Sequence, residues 1–218
     1  MATTANRNDL VGELAARFAW ALERAGAGGG LDRVDVRAHV AHALGYLEAC
    51  PELARAERVL DLGSGAGIPG LILAVNLATT AFVLVDGRVE RAGALVRSVA
   101  ELGLSARVSV VGERAELAAH RPDLRFGFDA VVARAFGRPA VTAECGAGFL
   151  VTGGRLVVSD PPDISAVGRW PKEGLARFGL VVEPPAPTEW HFTVLRSIAA
   201  LEARYPRRVG VPAKRPLF

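Results

Sequence analysis

The sequence predicts an α/β fold: a mostly parallel seven-stranded sheet covered on both faces by helices, with a helical cap before it and an antiparallel strand at its end. Three observations predict it. Short apolar runs alternate with helical patterns from Arg58 to Ser159, the order that builds a parallel sheet. The last two apolar runs lie too close together for a crossover helix, so they should pair antiparallel. A glycine-rich turn, DLGSGAGIPG over Asp61 to Gly70, follows the first apolar run, which is where open sheets of this kind bind ligands.

Each element has its own justification. Leu10, Val11, Leu14, Phe18 and Leu22 recur at helical spacing, which predicts an amphipathic helix over residues 8 to 25. Gly26 to Gly30 reads as a flexible linker. Val36, Val40, Leu44 and Leu47 mark a second helix that Pro51 limits. The strands expected next are Arg58 to Leu62, Ala81 to Val85, Arg107 to Val111, Asp129 to Ala133, and Arg155 to Ser159 after a Gly153-Gly154 turn. Helical patterns separate them: Ile68 to Leu77, Val89 to Leu102, a short one near Ala115, and Ala140 to Leu150. Leu180 to Val182 and Phe192 to Leu195 complete the sheet, with Pro184, Pro185 and Pro187 between them. The expected division is a helical cap over 1–52, a cofactor-binding core over 53–203 and a basic C-terminal arm over 204–218, in one compact domain.

Composition narrows the function classes. Half of the 218 residues are apolar and about a fifth are charged, as in a globular protein with a substantial core. No segment is apolar enough and long enough to span a bilayer, and no basic start leads into an apolar run, so neither membrane insertion nor export is expected. A cytoplasmic location and free thiols at Cys50 and Cys145 follow as expectations. His39, His42, His120 and His191 are scattered, without metal-ligand spacing, so no metal is expected. A monomer is expected.

The net charge of +3 is unevenly placed. Arg204, Arg207, Arg208, Lys214 and Arg215 lie in a tail without an acid, while the other 21 basic residues face all 23 acids. Such an arm suits a polyanion, holding phosphates without choosing sequence. Its prolines, Pro206, Pro212 and Pro216, disfavour a helix and predict an extended conformation.

The glycine turn reads in two registers. Gly65 to Gly70 is a literal G-x-G-x-x-G, the dinucleotide spacing; Asp61 to Gly67 is D-x-G-x-G-x-G, the S-adenosylmethionine spacing. A pyrophosphate turn places its first glycine directly after the strand, and Gly65 comes late for that. In the other register Asp61 is an early acid for an ammonium group, and Gly63, Gly65 and Gly67 follow at alternate positions. S-adenosylmethionine fits better, against a ligand-free glycine turn as the plainer alternative. Asp86 ends the second strand, where a carboxylate accepts from ribose hydroxyls or caps the next helix.

Four stretches together resemble the bacterial 16S ribosomal RNA (guanine-N7) methyltransferases, the glucose-inhibited division protein B family. They are VLDLGSGAGIPGLILA (Val59 to Ala74), Gly112-Glu113-Arg114-Ala115-Glu116, FDAVVARAF (Phe128 to Phe136) and RYPRRVGVPAKRPL (Arg204 to Leu217). The resemblance implies a Rossmann-like class I methyltransferase fold, S-adenosylmethionine as cofactor, and 16S rRNA or the small ribosomal subunit as partner. It further implies that Gly63 and Ile68 line the cofactor, that Ala115 and Glu116 contact its adenine region, and that Arg134 sits beside it. An ion pair closing the strand is the structural alternative for Arg134.

The chain departs from the family pattern at three places. GAGGGLDRVDV stands where the family has Asn-Leu-Thr; after His39, which matches, His42-Ala43 replaces Asp-Ser; and Ser159-Asp160-Pro161-Pro162 replaces Lys-Gly. These surround the expected substrate face. They keep open a methyltransferase of the same fold acting on a small molecule or another RNA. Asp160-Pro161-Pro162 follows the fifth strand and ends in Asp163, so it reads as a rigid loop rather than an amine-methylating D-P-P-Y motif. Two further classes are weaker. A NAD-linked oxidoreductase has the poorer glycine register and no second catalytic domain, and a non-enzymatic RNA-binding module would not need the intact turn.

Overall fold

The computed structural model describes residues 4–24, 33–161, 168–184 and 186–218. The expected linker at Gly26 to Gly30 and the end of the proline loop at Pro162 and Asp163 lie outside these residues. In chain order, α1 (Thr4–Arg24) and α2 (Arg33–Ala49) lead through a 3-10 turn (Pro51–Arg55) into β1 (Arg58–Leu62). Then come α3 (Gly70–Asn76), β2 (Ala81–Val85), α4 (Val89–Glu101), β3 (Val108–Val111), α5 (Ala115–Ala118) and β4 (Phe128–Arg134). α6 (Pro139–Ala147), β5 (Leu150–Ser159), α7 (Lys172–Ala176), β6 (Leu180–Glu183), β7 (Phe192–Ser197) and α8 (Val211–Lys214) complete the order.

Among the described residues seven strands form one sheet in the order β3-β2-β1-β4-β5-β7-β6. The first five are parallel, and β7 runs antiparallel to both β5 and β6. Two-residue alternation splits each central strand between two cores. Val59, Leu84 and Val132 face Phe18, Val40, Leu53 and Leu71 from α1, α2, the 3-10 turn and α3. Leu60, Val85 and Val131 face the opposite way, onto Ala118, Val141, Phe149 and Phe178. The N-terminal helices therefore help cover one sheet face, together with α3 and α4.

Two boundaries differ from the sequence reading. β5 starts at Leu150 and carries the Gly153-Gly154 pair inside it. Phe128 pairs with Leu150 but Ala130 pairs with Arg155, so the expected turn is a bulge within the strand. The tail is not an extended arm. It makes a helical turn, α8, with Pro212 in the first turn, where proline has no helical amide bond to lose. Tyr205, Leu217 and Phe218 pack into the second core.

The order of strands reverses between β1 and β4, since β2 follows β1 on one side and β4 lies on the other. The crevice outside the carboxyl ends of these strands is the binding position of such a sheet.

Candidate functional site

The loops at that edge gather the residues singled out from the sequence. Asp61 is in β1, and Gly63, Gly65, Gly67 and Ile68 form the turn after it. Asp86 follows β2 directly, Ala115 and Glu116 open α5 after β3, and Arg134 ends β4. Four adjacent strands thus deliver the whole set to one rim.

The turn is held open by its own backbone. Gly63 and Gly65 have φ of 76° and 57°, a region that costs side-chain-bearing residues but not glycine. Amides of Gly63 and Ser64 both donate to the Val85 carbonyl, tying the turn to the end of β2. A Cβ on Gly63 would lie 2.6 Å from the Phe136 ring, whereas one on Gly65 would meet nothing closer than 3.9 Å. A Cβ on Gly65 would be in ordinary contact with the Gly63 carbonyl and the Arg91 guanidinium, whereas the Phe136 ring closes over Gly63. Ala135 takes a φ of 50° on leaving β4, just before the residue whose ring covers Gly63.

Asp61 is 1% exposed. Its Oδ2 accepts from the Gly70 amide at 2.9 Å, and its Oδ1 is buried without a partner. Burial pushes this carboxyl up to about 7 from an ordinary 3.8, because a desolvated carboxylate disfavours its charge. An unpaired buried acceptor beneath a glycine cradle is the feature that a cationic ligand group would satisfy. Gly70 must be glycine for a different reason. A Cβ there would sit 2.5 Å from Asp61 Oδ2 and 2.6 Å from Leu84. Gly70→Ala is expected to lose about 2–3 kcal/mol of stability through overpacking, read as a lowered urea midpoint.

Asp86 is buried, and both of its oxygens already hold the loops in place. Oδ2 accepts from the Gly65 amide and Oδ1 from the Arg88 amide, each at 2.9 Å. The α4 N-cap is Arg88, so Asp86 organises the approach to the helix without being its capping residue. Each carboxylate oxygen retains a second acceptor site. Glu116 is buried as well. Arg114 donates to both its oxygens, and the Gly210 amide donates to Oε1 at 3.0 Å. Burial opposes its ionisation, but these donors more than offset that and hold the carboxyl below its usual range.

Arg134 is half-buried and makes no ion pair among the described residues. Its guanidinium bonds His39 Nδ1 at 3.1 Å. It lines a cleft of about 430 Å³ with Phe136, Thr142, Ser159, Asp160 and Arg169. His42, one turn along α2, meets Ser159 Oγ through Nε2 at 2.9 Å. Burial, then the charge of Arg134, pushes His42 down to about 4. Two of the family departures, His42 and Ser159, therefore touch each other beside this cleft. Asp160 is an anchor, accepting from Arg169, Trp170 and Thr193. Its donors come from two separate segments, Arg169-Trp170 and Thr193, which no local sequence pattern could reveal.

The basic tail residues divide. Arg207 is bound to the buried Glu144 through both carboxylate oxygens. Arg204 pairs with the exposed Glu202. Arg208, Lys214 and Arg215 are exposed. The described residues include no group of three or more His, Cys, Asp or Glu placed to hold a metal. None of the described helices is long and apolar enough to cross a membrane.

Comparison with solved structures shows the fold. The chain superposes on the S-adenosylhomocysteine-bound methyltransferase PaMTH1 of Podospora anserina with a TM-score of 0.54 and 14% identity, covering 85% of this chain and 88% of that one. An O-methyltransferase of neocarzinostatin biosynthesis, solved with S-adenosylhomocysteine and 1,4-dihydroxy-2-naphthoic acid, gives 0.52 and 19% over 84% and 70%. This is the class I methyltransferase fold, with its seven-stranded sheet and antiparallel β7. Sequence relatives are closer. Ribosomal RNA small subunit methyltransferase G of Prochlorococcus marinus (strain MIT 9303) is 35% identical over 167 residues, spanning 73% of this chain and 68% of that one. The protein of the same description from Thermotoga maritima is 39% identical over 166 residues, 73% and 68%. That from Rubrobacter xylanophilus is 37% identical over 175 residues, 76% and 67%. The model of the family described as rRNA small subunit methyltransferase G matches residues 32–159. That stretch runs from α2 to the end of β5 and contains every residue of the rim from Asp61 to Arg134, so the chain belongs to this S-adenosylmethionine-dependent methyltransferase family.

Proposed function

We propose that this protein transfers a methyl group from S-adenosylmethionine to N7 of a guanine in the 16S rRNA of the small ribosomal subunit. The observation that carries this reading is the coincidence of the family match over residues 32–159 with the intact rim of β1, β2, α5 and β4. The cofactor supplies a methyl group on a sulfonium centre. The chain's own groups bind and orient. Gly63, Gly65 and Gly67 let the backbone approach the ligand, with Ile68 at the end of the turn. Asp61 offers its unpaired Oδ1 to the ammonium group. Asp86 offers the free acceptor sites of its carboxylate to the ribose. Ala115 and Glu116 border the adenine, with Glu116 fixed by Arg114 and Gly210. Arg134 borders the cofactor from the end of β4.

Guanine N7 presents an in-plane lone pair and carries no proton. Its attack needs no general base, so alignment and exclusion of water are the protein's contribution. We assign the exposed Arg208, Lys214 and Arg215, with Arg204, to phosphate contact. Arg207 serves the fold instead. The reading is tested by offering labelled S-adenosylmethionine with small subunits, naked 16S rRNA or free nucleosides. Incorporation into subunits or rRNA that is lost in Arg134→Ala supports it. Incorporation into free nucleosides alone would move the substrate to a small molecule.

A further inference from the structure

One face of α2 fastens the carboxyl ends of β4 and β5. His39, His42 and Tyr46 recur at helical spacing along it. Tyr46 donates to the Ala133 carbonyl at 2.8 Å, His42 meets Ser159, and His39 meets Arg134. The last contact spans 95 residues of sequence. Its direction is fixed by chemistry. A guanidinium has only donors, so His39 Nδ1 is the acceptor and carries no proton. Asp160, the carboxylate that shares the cleft with Arg134, is already engaged by Arg169, Trp170 and Thr193. Among the described residues His39 is the hydrogen-bond partner of the Arg134 guanidinium. An arginine side chain has many rotamers, and a single fixed acceptor removes most of that freedom before a ligand arrives.

We infer that His39 is a positioning residue: its Nδ1 holds the Arg134 guanidinium at the rim, pre-set for the cofactor. This rests on the reading above that Arg134 borders the cofactor. His42 supports the arrangement by staying uncharged. Burial and the neighbouring guanidinium disfavour its protonation, so His42 adds no further positive charge beside Arg134.

The test is calorimetric binding of S-adenosylhomocysteine, with no RNA present, to the full chain and four variants: His39→Ala, His39→Asn, Arg134→Ala and the double alanine. Thermal melts confirm that each is folded. Loss of a hydrogen bond to a charged group predicts about tenfold weaker binding for His39→Ala. A loss at least as large is expected for Arg134→Ala, with no further loss in the double variant relative to Arg134→Ala, because His39 acts only through Arg134. The asparagine oxygen lies close to the position of Nδ1 and accepts, so His39→Asn should bind within about threefold of the wild type. Additive losses in the double variant, or failure of asparagine to restore binding, would overturn the inference. So would unchanged binding in His39→Ala beside weakened binding in Arg134→Ala, and in that case Arg134 would keep its place at the cofactor. Unchanged binding in Arg134→Ala would remove both. None of these outcomes bears on the rRNA substrate, which labelled methyl transfer decides separately.

Discussion

Arg207→Ala is expected to destabilise the fold by about 3–5 kcal/mol, the usual cost of stripping one partner from a buried ion pair. Glu144 is 1% exposed, and it sits on α6 beneath the tail. The Arg207 guanidinium reaches both of its oxygens, and the Arg207 amide adds a bond at 2.8 Å. Alanine would leave a desolvated carboxylate with the amide alone. The carboxyl must then take up a proton, or the tail must lift to admit water. Replacing Glu144 and Arg207 together by leucine should cost less than Arg207→Ala, because no orphaned charge remains. Arg204→Ala is the control. Its pair with Glu202 is exposed on both sides, so about 0–1 kcal/mol is expected. Urea denaturation of the four proteins gives the comparison. If Arg207→Ala unfolds at the wild-type midpoint, the tail is not seated on Glu144 as described. A seated tail also matters to the rim, since the Gly210 amide that fixes Glu116 belongs to it.

S-adenosylhomocysteine is expected to bind more tightly as pH rises toward about 7, and to gain little above it. The cause is Asp61. Burial raises its carboxyl to about 7 in the folded chain, against 3.8 ordinarily. A cationic ammonium group prefers the ionised form. Below the folded value, binding must also expel a proton, so affinity drops by up to about tenfold per pH unit. Stability of the ligand-free protein runs the other way. Its folded state holds the Asp61 proton more firmly than the unfolded chain does. Between about pH 4 and 7 this group therefore removes stability as pH rises, by roughly 4 kcal/mol in all at 1.36 kcal/mol per unit. Asp61→Asn keeps an acceptor for Gly70 and cannot ionise. It should bind weakly at pH about 8, with the Asp61-dependent slope gone. A wild-type affinity that is flat across that range would show that Asp61 does not meet the ammonium group.

How much of this was legible depends on how local the determining contacts are. β1, β2 and β4 are short apolar runs, with Asp61 one residue before the end of β1, Asp86 directly after β2 and Arg134 closing β4, and their positions follow from composition and alternation. The turn after β1 is contiguous, so its glycines and Asp61 could be named together. α7 is a five-residue helix, too short to show a period. Paired glycines signal a turn, which predicts that β5 starts after Gly153-Gly154, and only the partner strand shows that they bulge. The tail prolines predict an extended arm. Pro212 falls in the one helical turn that tolerates it, and the tail is fixed by Glu144 and Glu116, more than sixty residues away. Likewise His39 and His42 look scattered in one dimension. Their partners Arg134 and Ser159 are 95 and 117 residues on, and only the packing of α2 against the sheet brings them together.

The most direct measurement is the position of the methyl group on the RNA. Small subunits lacking guanine-N7 methylation would be treated with the protein and S-adenosylmethionine. Their 16S rRNA would then be reduced with borohydride, cleaved with aniline, and mapped by primer extension. An N7-methylated guanine carries a ring charge that makes it open to this cleavage, whereas guanines methylated elsewhere resist it. A new cleavage at a single guanine that requires both protein and cofactor is expected. Methyl incorporation without such a cleavage, or at a base other than guanine, would contradict the proposed N7 transfer.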